Sequence, residues 1–274
     1  MKKCDLHNHS TSSDGSYTPS QLVDYAIKKG LYAVALTDHN NIDGIKEFSE
    51  YAKGKSIEAV CGCEITTEIY NKEVHLLALF IKDVSCPSMI EFLQDRHLEK
   101  KKSNQDLEKN LLNGGYEISL EKMHQKYGKT INRAHFAKEL ILKGYVKTTR
   151  EAFDTILKPN GEFFKPYKRP ELTDAVKLVY SWGATPVLAH PLLSLERQEL
   201  EKALPELKDA CLAGMEVYYP EFSQEDTEYL IGLCDKYDLI KSGGSDFHGD
   251  IKTNSDLALS TTDYENFVKL KNFK

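Results

Sequence analysis

Short apolar runs alternate along the first third of the chain with segments whose apolar residues recur every three or four positions. Three of the runs have the length of buried strands, at residues 31–36, 57–63 and 74–81. Two of the periodic segments predict helices, at residues 19–29 and 42–53. Strands that alternate with helices favour a parallel arrangement joined by helical crossovers.

The pattern changes between residues 85 and 181. A long helical segment at 89–112 precedes three shorter ones, at 120–127, 133–144 and 151–157. An aromatic and basic loop follows at 163–170. We predict that residues 85–181 form a small helical insertion over the mouth of a domain built from residues 1–84 and 182–274.

The alternation resumes after this insertion. Further strands are predicted at residues 185–189 and 215–219 and from Ile240 onward, with helices between them. The predicted fold class is therefore α/β, with its strands arranged as in barrel-type folds.

Polar side chains stand at the ends of the predicted strands. His7 and His9 lie a few residues from the N-terminus, at the end of a short run that can be a strand. Residues i and i+2 of a strand point to the same face. The carboxyl ends of parallel strands meet at one end of a barrel, so we expect these side chains to lie together. The set contains six histidines and five carboxylates: His7, His9, His39, His75, His190, His248, Asp14, Asp38, Glu64, Glu216 and Asp246.

The chemistry of this set indicates bound metal. Imidazoles with carboxylates suit zinc, manganese or iron(II), whereas an all-oxygen magnesium site would not need so many imidazoles. The ligands outnumber the needs of one ion, and carboxylates can bridge two ions. We therefore predict a hydrolytic site with two or three divalent ions. Gly243 and Gly244 allow the backbone to bend sharply beside so crowded a site.

Composition narrows the choice of partners. The 274-residue chain is 41% hydrophobic and 28% charged, as in an ordinary globular protein, and its net charge is −6. This charge argues against a broad surface for coating nucleic acid, but not against a small phosphorylated substrate or the end of a single strand. No apolar run approaches a membrane span, and the N-terminus lacks the apolar core of a signal peptide, so we expect a cytoplasmic protein that does not bind membranes.

Five motifs occur in order between Asp5 and Gly249. They are Asp5-Leu6-His7-Asn8-His9-Ser10 with Ser13-Asp14-Gly15, Thr37-Asp38-His39-Asn40, Gly62-Cys63-Glu64, Ala189-His190-Pro191, and Gly244-Ser245-Asp246-Phe247-His248-Gly249. Together they resemble the motifs of the polymerase-and-histidinol-phosphatase (PHP) family of metal-dependent phosphoesterases. The resemblance implies a distorted seven-stranded β/α barrel and three metal positions.

The resemblance also implies which ligands belong to each position. One ion would be held by His7, His9, Glu64 and Asp246. Glu64 would bridge to a second ion, held also by His75 and His190. The third would be held by Asp14, His39 and His248. We expect Mn²⁺, with Zn²⁺ or Fe²⁺ as alternatives, and we expect catalysis to depend on the ligands Glu64, Asp246, His190 and His248.

The insertion is similar to that of one family branch, the nucleotide phosphatases and 5′-to-3′ exoribonucleases. The similar segments are Asn132 to Ala137, Lys143 to Val146 and the loop through Lys165 and Tyr167. Arg133 and His135 fall at a predicted helix start, where backbone N–H groups and a guanidinium together can bind phosphate. Lys165 and Tyr167 are candidates for a second phosphate and a base, although buried aromatics in an exposed loop are an equal alternative.

The resulting hypothesis is hydrolysis of a phosphate monoester by a hydroxide that bridges two ions. The expected substrate is a nucleoside 3′,5′-bisphosphate. Three alternatives stay open: a 5′-to-3′ exoribonuclease acting on 5′-phosphorylated RNA, a phosphoesterase acting on histidinol phosphate or a cyclic phosphate, and a non-catalytic metal-binding module. The sequence predicts neither the general acid nor the oligomeric state.

Overall fold

A computed structural model describes residues 2–128, 130–251 and 256–274. The chain divides into two compact units. The first contains the residues up to Ile90 together with Arg169–Lys274, and the second is Glu91–Lys168. The predicted insertion, residues 85–181, extends past the second unit at both ends. The helix Leu172–Ser181, inside the predicted insertion, belongs to the first unit because it packs against the strands there.

The strands are short and most of them are buried. In the described residues they are β1 (Lys3–Asp5), β2 (Ala33–Leu36), β3 (Glu58–Cys61), β4 (Cys63–Ile69), β5 (Lys72–Leu79), β6 (Thr185–Leu188), β7 (Gly214–Tyr218), β8 (Ile240–Gly243) and β9 (Thr262–Asp263). Two single 3₁₀ turns follow β6 and β8, at Pro191–Leu193 and Gly249–Ile251.

The helices connect these strands or make up the second unit. They are α1 (Pro19–Lys28), α2 (Ile45–Ala52), α3 (Pro87–Asn113), α4 (Leu120–Tyr127), α5 (Arg133–Leu142), α6 (Thr149–Asp154), α7 (Leu172–Ser181), α8 (Arg197–Asp209), α9 (Gln224–Tyr237) and α10 (Tyr264–Lys271). No helix among the described residues has both the length and the apolar character that a membrane crossing requires.

The hydrogen-bonded strands form two sheets. One has the order β3-β2-β1-β9 and the other β4-β5-β6-β7-β8. Strands β1, β2 and β3 are parallel, as are β6, β7 and β8, which confirms the arrangement predicted for them. Strand β5 is antiparallel to both of its neighbours, which the alternation pattern did not indicate.

A break at Gly62 separates the two sheets along the chain. The run predicted as one strand is β3 followed by β4, which continues to Ile69. A Cβ atom at Gly62 would lie 3.0 Å from both the Ala78 carbonyl oxygen and Thr37 Cγ2, so glycine allows a close approach that a side chain would crowd. The break allows β3 to pair with β2 while β4 turns to pair with β5.

Two isolated bridges connect the sheets beyond the ends of their ladders. One joins Asn8 to Phe247 and the other joins His39 to Glu64. The α/β class is thus confirmed, whereas the described ladders form two sheets and not one closed seven-stranded barrel. Barrel closure stays a prediction.

Each unit has its own apolar core. In the first unit, Leu6, Leu77 and Val187 are buried in one cluster, beside a second cluster that α1 and α2 cover. The second unit buries Leu111, Phe136 and other side chains from its helices. A separate core is what an independently packed unit requires.

Candidate metal centre

All nine predicted ligands lie close together in the first unit. They come from the segment after β1, from β4 and β5, and from the segments after β2, β6 and β8. Seven of them lie in the segment that follows the carboxyl end of a strand, and Glu64 lies near the start of β4, just after β3 ends. His75 is the exception: it lies inside β5, and it reaches the site because β5 runs antiparallel and pairs its residue 75 with Thr66 of β4.

Glu64 is the centre of this cluster. Its side chain is fully buried, and five histidine rings surround its two oxygens. Oε1 lies 3.3 Å from His7 Nε2, 2.8 Å from His75 Nδ1 and 3.1 Å from His190 Nε2. Oε2 lies 3.2 Å from His9 Nε2 and 2.9 Å from His39 Nδ1. One carboxylate thus faces five histidines from four different segments, an arrangement that suits a bridging ligand.

Asp246 and Asp14 flank Glu64. Asp246 Oδ1 lies 3.2 Å from His9 Nε2 and 3.5 Å from His248 Nδ1. Asp14 Oδ1 lies 3.4 Å from His248 Nε2, and its Oδ2 lies 3.8 Å from His39 Nε2. These two carboxylates place further negative charge at the edge of the histidine cluster.

Four overlapping groups of side chains have donor atoms close enough to share an ion. They are His9, Asp14, His39 and His248; His7, His9 and Asp246; His7, Glu64 and His190; and His39, Glu64 and His75. The three ligands predicted for the third ion, Asp14, His39 and His248, are together in one of these groups, which also contains His9. Glu64 is grouped with His75 and with His190 separately, so the predicted division of ligands among three ions stays a hypothesis.

The buried donor atoms fit a metal ion. His7 Nε2, His9 Nε2, His39 Nδ1, His75 Nδ1 and Glu64 Oε2 have no hydrogen bond within the part of the chain that the structure describes, although each is buried and close to an oppositely charged group. A buried polar atom without such a bond costs about 1–3 kcal/mol. Five of them directed at one another are explained if divalent ions accept their lone pairs.

In the metal-free protein, protonated histidines balance the charge of the carboxylates. Burial lowers the pKa of His9 and of His75, but neighbouring carboxylates outweigh it and raise each pKa to about 10. Burial raises the pKa of Glu64, but the surrounding histidines hold that pKa well below its usual range. Imidazolium and carboxylate groups therefore neutralise each other, and an incoming ion competes with protons.

Glu216 is a supporting residue: it was included among the polar side chains at predicted strand ends but was assigned to none of the three metal positions. It is fully buried, its two oxygens lie 3.1 and 3.2 Å from His7 Nδ1, and it accepts a 2.8 Å hydrogen bond from the His190 backbone N–H. Its position at a strand end was recognisable, but its partner lies 209 residues away in sequence. Glu216 orients His7 so that Nε2 faces Glu64.

Tyr219 was missed entirely. Its hydroxyl donates a 2.8 Å hydrogen bond to Asp246 Oδ2, which leaves Oδ1 facing the histidines. A tyrosine after an apolar strand is ordinary in sequence, so no local signal distinguishes it.

The backbone of the site is tightly packed. A Cβ atom at Gly244 would lie 2.4 Å from His7 Cβ, which explains the glycine just before Asp246. Asp5 anchors the same segment, because its carboxylate accepts bonds from the Ser245 backbone N–H (2.9 Å) and hydroxyl (2.6 Å). Burial raises the pKa of Asp5 to about 6.

The four predicted substrate-binding residues lie in the second unit. Arg133 is the first residue of α5, and its guanidinium stacks on Phe153 and Phe164 at 5.2 and 4.8 Å. His135 is buried, and its Nδ1 accepts a hydrogen bond from the Asn132 backbone N–H as part of the helix cap. One ring nitrogen of His135 is therefore committed to structure.

The aromatic-basic loop divides into buried and exposed parts. Phe164 is buried in the core of the second unit and Phe163 packs against that core. Lys165 is exposed and Tyr167 is half-buried. The two phenylalanines are accordingly core residues, and of the loop aromatics only Tyr167 is left as a candidate for contact with a base.

Comparison with known proteins agrees with this site. The model of the PHP domain family matches residues 5–169, more than half of the chain, and the chain belongs to this family. It is a metal-dependent phosphoesterase of the PHP type.

Its relatives carry different activities. A 5′-3′ exoribonuclease of Haemophilus influenzae is 29% identical over 90% of both chains. A 3′,5′-nucleoside bisphosphate phosphatase of Chromobacterium violaceum is also 29% identical, over 90% of this chain and 88% of the relative. The crystal structure of a Bifidobacterium adolescentis protein assigned as a metal-dependent phosphoesterase superposes with a TM-score of 0.83 at 26% identity, covering 97% and 94% of the two chains. Identity alone does not separate nucleotide from RNA as substrate.

Proposed function

We propose that this protein hydrolyses a phosphate monoester of a nucleoside 3′,5′-bisphosphate. The observation that carries the hydrolytic part is the convergence of five histidines on Glu64, with buried donor atoms that fit divalent ions. The likeness to a bisphosphate phosphatase supports the substrate class. The net charge of −6 also favours a small substrate over a long strand, which binds best in an extended basic groove.

The ions, when bound, supply Lewis-acid chemistry that activates water and neutralises charge on the phosphoryl oxygens. The protein holds them with the nine predicted ligands and keeps those ligands oriented. Glu216 fixes His7, and Tyr219 fixes Asp246. The catalytic roles proposed for Glu64, Asp246, His190 and His248 follow from their position as ligands.

Substrate recognition is proposed for the second unit. Arg133 begins α5, so its guanidinium lies at the helix N-terminus, where the helix dipole also favours a phosphate. The rings of Phe153 and Phe164 hold that guanidinium in one direction. We assign His135 to the same phosphate, and Lys165 and Tyr167 to the second phosphate and the base.

The remaining assignments are proposals of the same kind. Two or three ions are expected, with Mn²⁺ preferred over Zn²⁺ and Fe²⁺ as the physiological metal. We also propose a cytoplasmic location.

The test is phosphate release from adenosine 3′,5′-bisphosphate with Mn²⁺ added. A 5′-phosphorylated RNA oligomer, histidinol phosphate and a cyclic ribose phosphate are assayed in parallel, and a Glu64→Gln variant is the matched control. The proposal is supported if the wild-type protein hydrolyses the bisphosphate fast and the Glu64→Gln variant does not. Fast turnover of another substrate alone refutes the nucleotide assignment.

The exoribonuclease is the second candidate, because the relative with that name covers the same share of the chain. Graded salt separates the two substrates. A protein that neutralises many phosphates loses affinity steeply with salt, whereas a mononucleotide gives a shallow dependence. If the metal-loaded protein hydrolyses none of these substrates, the non-catalytic metal-binding module would be favoured.

A further inference from the structure

We infer that Glu73, held in place by Arg169, is a positioning residue that fixes the orientation of the His75 ring at the metal centre. The inference rests on the metal-dependent function proposed above. The sequence motifs did not include Glu73, and Arg169 was considered only as part of the aromatic and basic loop.

The two ring nitrogens of His75 face two different carboxylates. Nδ1 lies 2.8 Å from Glu64 Oε1, and Nε2 lies 3.4 Å from Glu73 Oε1. A neutral imidazole has one N–H and one lone pair. With the N–H at Nε2 directed to Glu73, the lone pair of Nδ1 is directed to the centre where Glu64 lies. An outer carboxylate that accepts the second N–H of a ligating histidine is the usual means of fixing its tautomer.

The position of Glu73 is itself fixed. Glu73 and His75 are two residues apart on β5, so their side chains share a face. The second oxygen of Glu73 accepts a hydrogen bond from Arg169 Nη2. The side chain of Arg169 is only 9% exposed, whereas that of Glu73 is 39% exposed, so the guanidinium is the part of this pair that is shielded from water.

Arg169 also contacts Glu68, which gives the chain an internal control. Glu68 and Glu73 are direct partners across the β4–β5 ladder, and Arg169 Nη1 lies 3.4 Å from Glu68 Oε2. The guanidinium therefore offsets the repulsion between two neighbouring carboxylates. Glu68 contacts Arg169 as Glu73 does, but in the described part of the chain its side chain makes no contact with His75.

The same arrangement occurs at a second ligand. His7 directs Nε2 to Glu64 while its Nδ1 faces Glu216. Two of the histidines around Glu64 thus have an outer carboxylate on the nitrogen that points away from it. The repetition favours a positioning role for Glu73 over a chance surface ion pair.

The first measurement is metal affinity without substrate. Free Mn²⁺ is followed by its electron paramagnetic resonance signal during titration of wild type, Glu73→Ala, Glu73→Gln and Glu68→Gln. Loss of an outer carboxylate typically weakens metal binding about 10–100-fold. For Glu73→Ala we expect this loss of Mn²⁺ affinity in one class of sites. For Glu73→Gln we expect a smaller loss, because its amide oxygen can still accept a hydrogen bond from His75. Glu68→Gln should bind Mn²⁺ with wild-type affinity.

The second measurement reports on the ring itself. In Co²⁺-loaded protein, the exchangeable N–H signal of His75 is identified by its absence in His75→Gln. Positioning by Glu73 predicts that this proton exchanges faster with water in Glu73→Ala than in Glu68→Gln. Circular dichroism of the metal-free variants establishes whether each is folded. If Glu73→Ala does not fold, the isosteric Glu73→Gln takes its place in both measurements.

Equal metal affinity and equal exchange in Glu73→Ala and Glu68→Gln would overturn the inference, whether both match wild type or both fall. Neither readout requires turnover. A protein that hydrolyses the bisphosphate but shows this equality refutes the positioning role alone. A protein inactive on every substrate, in which only Glu73→Ala loses affinity, refutes the proposed function and leaves the positioning role supported.

Discussion

Loading the metal-free protein with Mn²⁺ should release protons. Three histidines of the centre bind protons strongly in the protein alone. Burial lowers the pKa of His7, but Glu216, Glu64 and Asp246 outweigh burial and raise that pKa well above its ordinary value. The pKa values of His9 and His75 are raised to about 10 by their carboxylate neighbours. At about pH 8 all three rings are therefore charged, and each must lose a proton before it can bind an ion.

The size of the effect follows from this count. Three displaced protons make the apparent association constant rise by up to about 10³ per pH unit, or about 4 kcal/mol, below pH 10. The direction of this pH dependence agrees with the effect of the same histidines on the stability of the metal-free fold. Raised histidine pKa values stabilise the metal-free fold fully below about pH 6.5, and this contribution is lost as pH rises through about 10. Metal binding should therefore strengthen as the pH rises toward that value.

Calorimetric titration in two buffers of different ionisation enthalpy counts the protons released. His39 supplies the control, because burial lowers its pKa and its ring is neutral, although its Nδ1 lies 2.9 Å from Glu64, much like that of His75. We expect His75→Gln to reduce the count by one and His39→Gln to leave it unchanged. Release of no protons, or an equal reduction in both variants, would refute the electrostatic reasoning.

Three further predictions concern single residues. Glu64→Gln should abolish metal binding and activity together, beyond the roughly 100-fold loss expected for an outer partner; full metal content with full turnover would contradict a bridging role. Arg133→Ala should raise KM for the bisphosphate and leave metal content unchanged, and an unaltered KM would remove Arg133 from the substrate site. Gly244→Ala should destabilise the fold by about 1–3 kcal/mol in chemical denaturation, since the added Cβ lies 2.4 Å from His7 Cβ; an unchanged midpoint would show that the segment can move.

The ligands were predictable because each follows or begins an apolar run. His7, His39 and His190 are polar residues at points where a buried strand ends, and such positions converge in a parallel α/β fold. His75 was predicted from its place at the start of an apolar run and from the family resemblance, but the reason it reaches the site was not available from the alternation pattern. It depends on β5 running antiparallel to β4 after a two-residue turn, in which Tyr70 and Asn71 have φ values of 54° and 60°.

The supporting residues were not predictable in the same way. Glu216 and His7 are 209 residues apart, and Tyr219 and Asp246 are 27 apart, so their pairing is a property of the folded chain. Glu73 is close to His75 in sequence, but its proposed role depends on Arg169, which is 96 residues away from it in sequence. At His135, a helix-capping role and a phosphate-binding role would both place a histidine at this helix position, so the sequence does not distinguish between them.

Strain in the backbone explains why so many buried bonds surround the ligands. His190 and Asp246 have φ values of 26° and 47°, in the left-handed region that costs non-glycine residues about 1–3 kcal/mol each. Such conformations persist only where neighbouring contacts favour them. The His190 N–H donates to Glu216, and the Asp246 carboxylate accepts from Tyr219. Glu216 therefore both supports the strained backbone of one ligand and orients the ring of another, His7, so that two ligands from different strands depend on a single buried carboxylate.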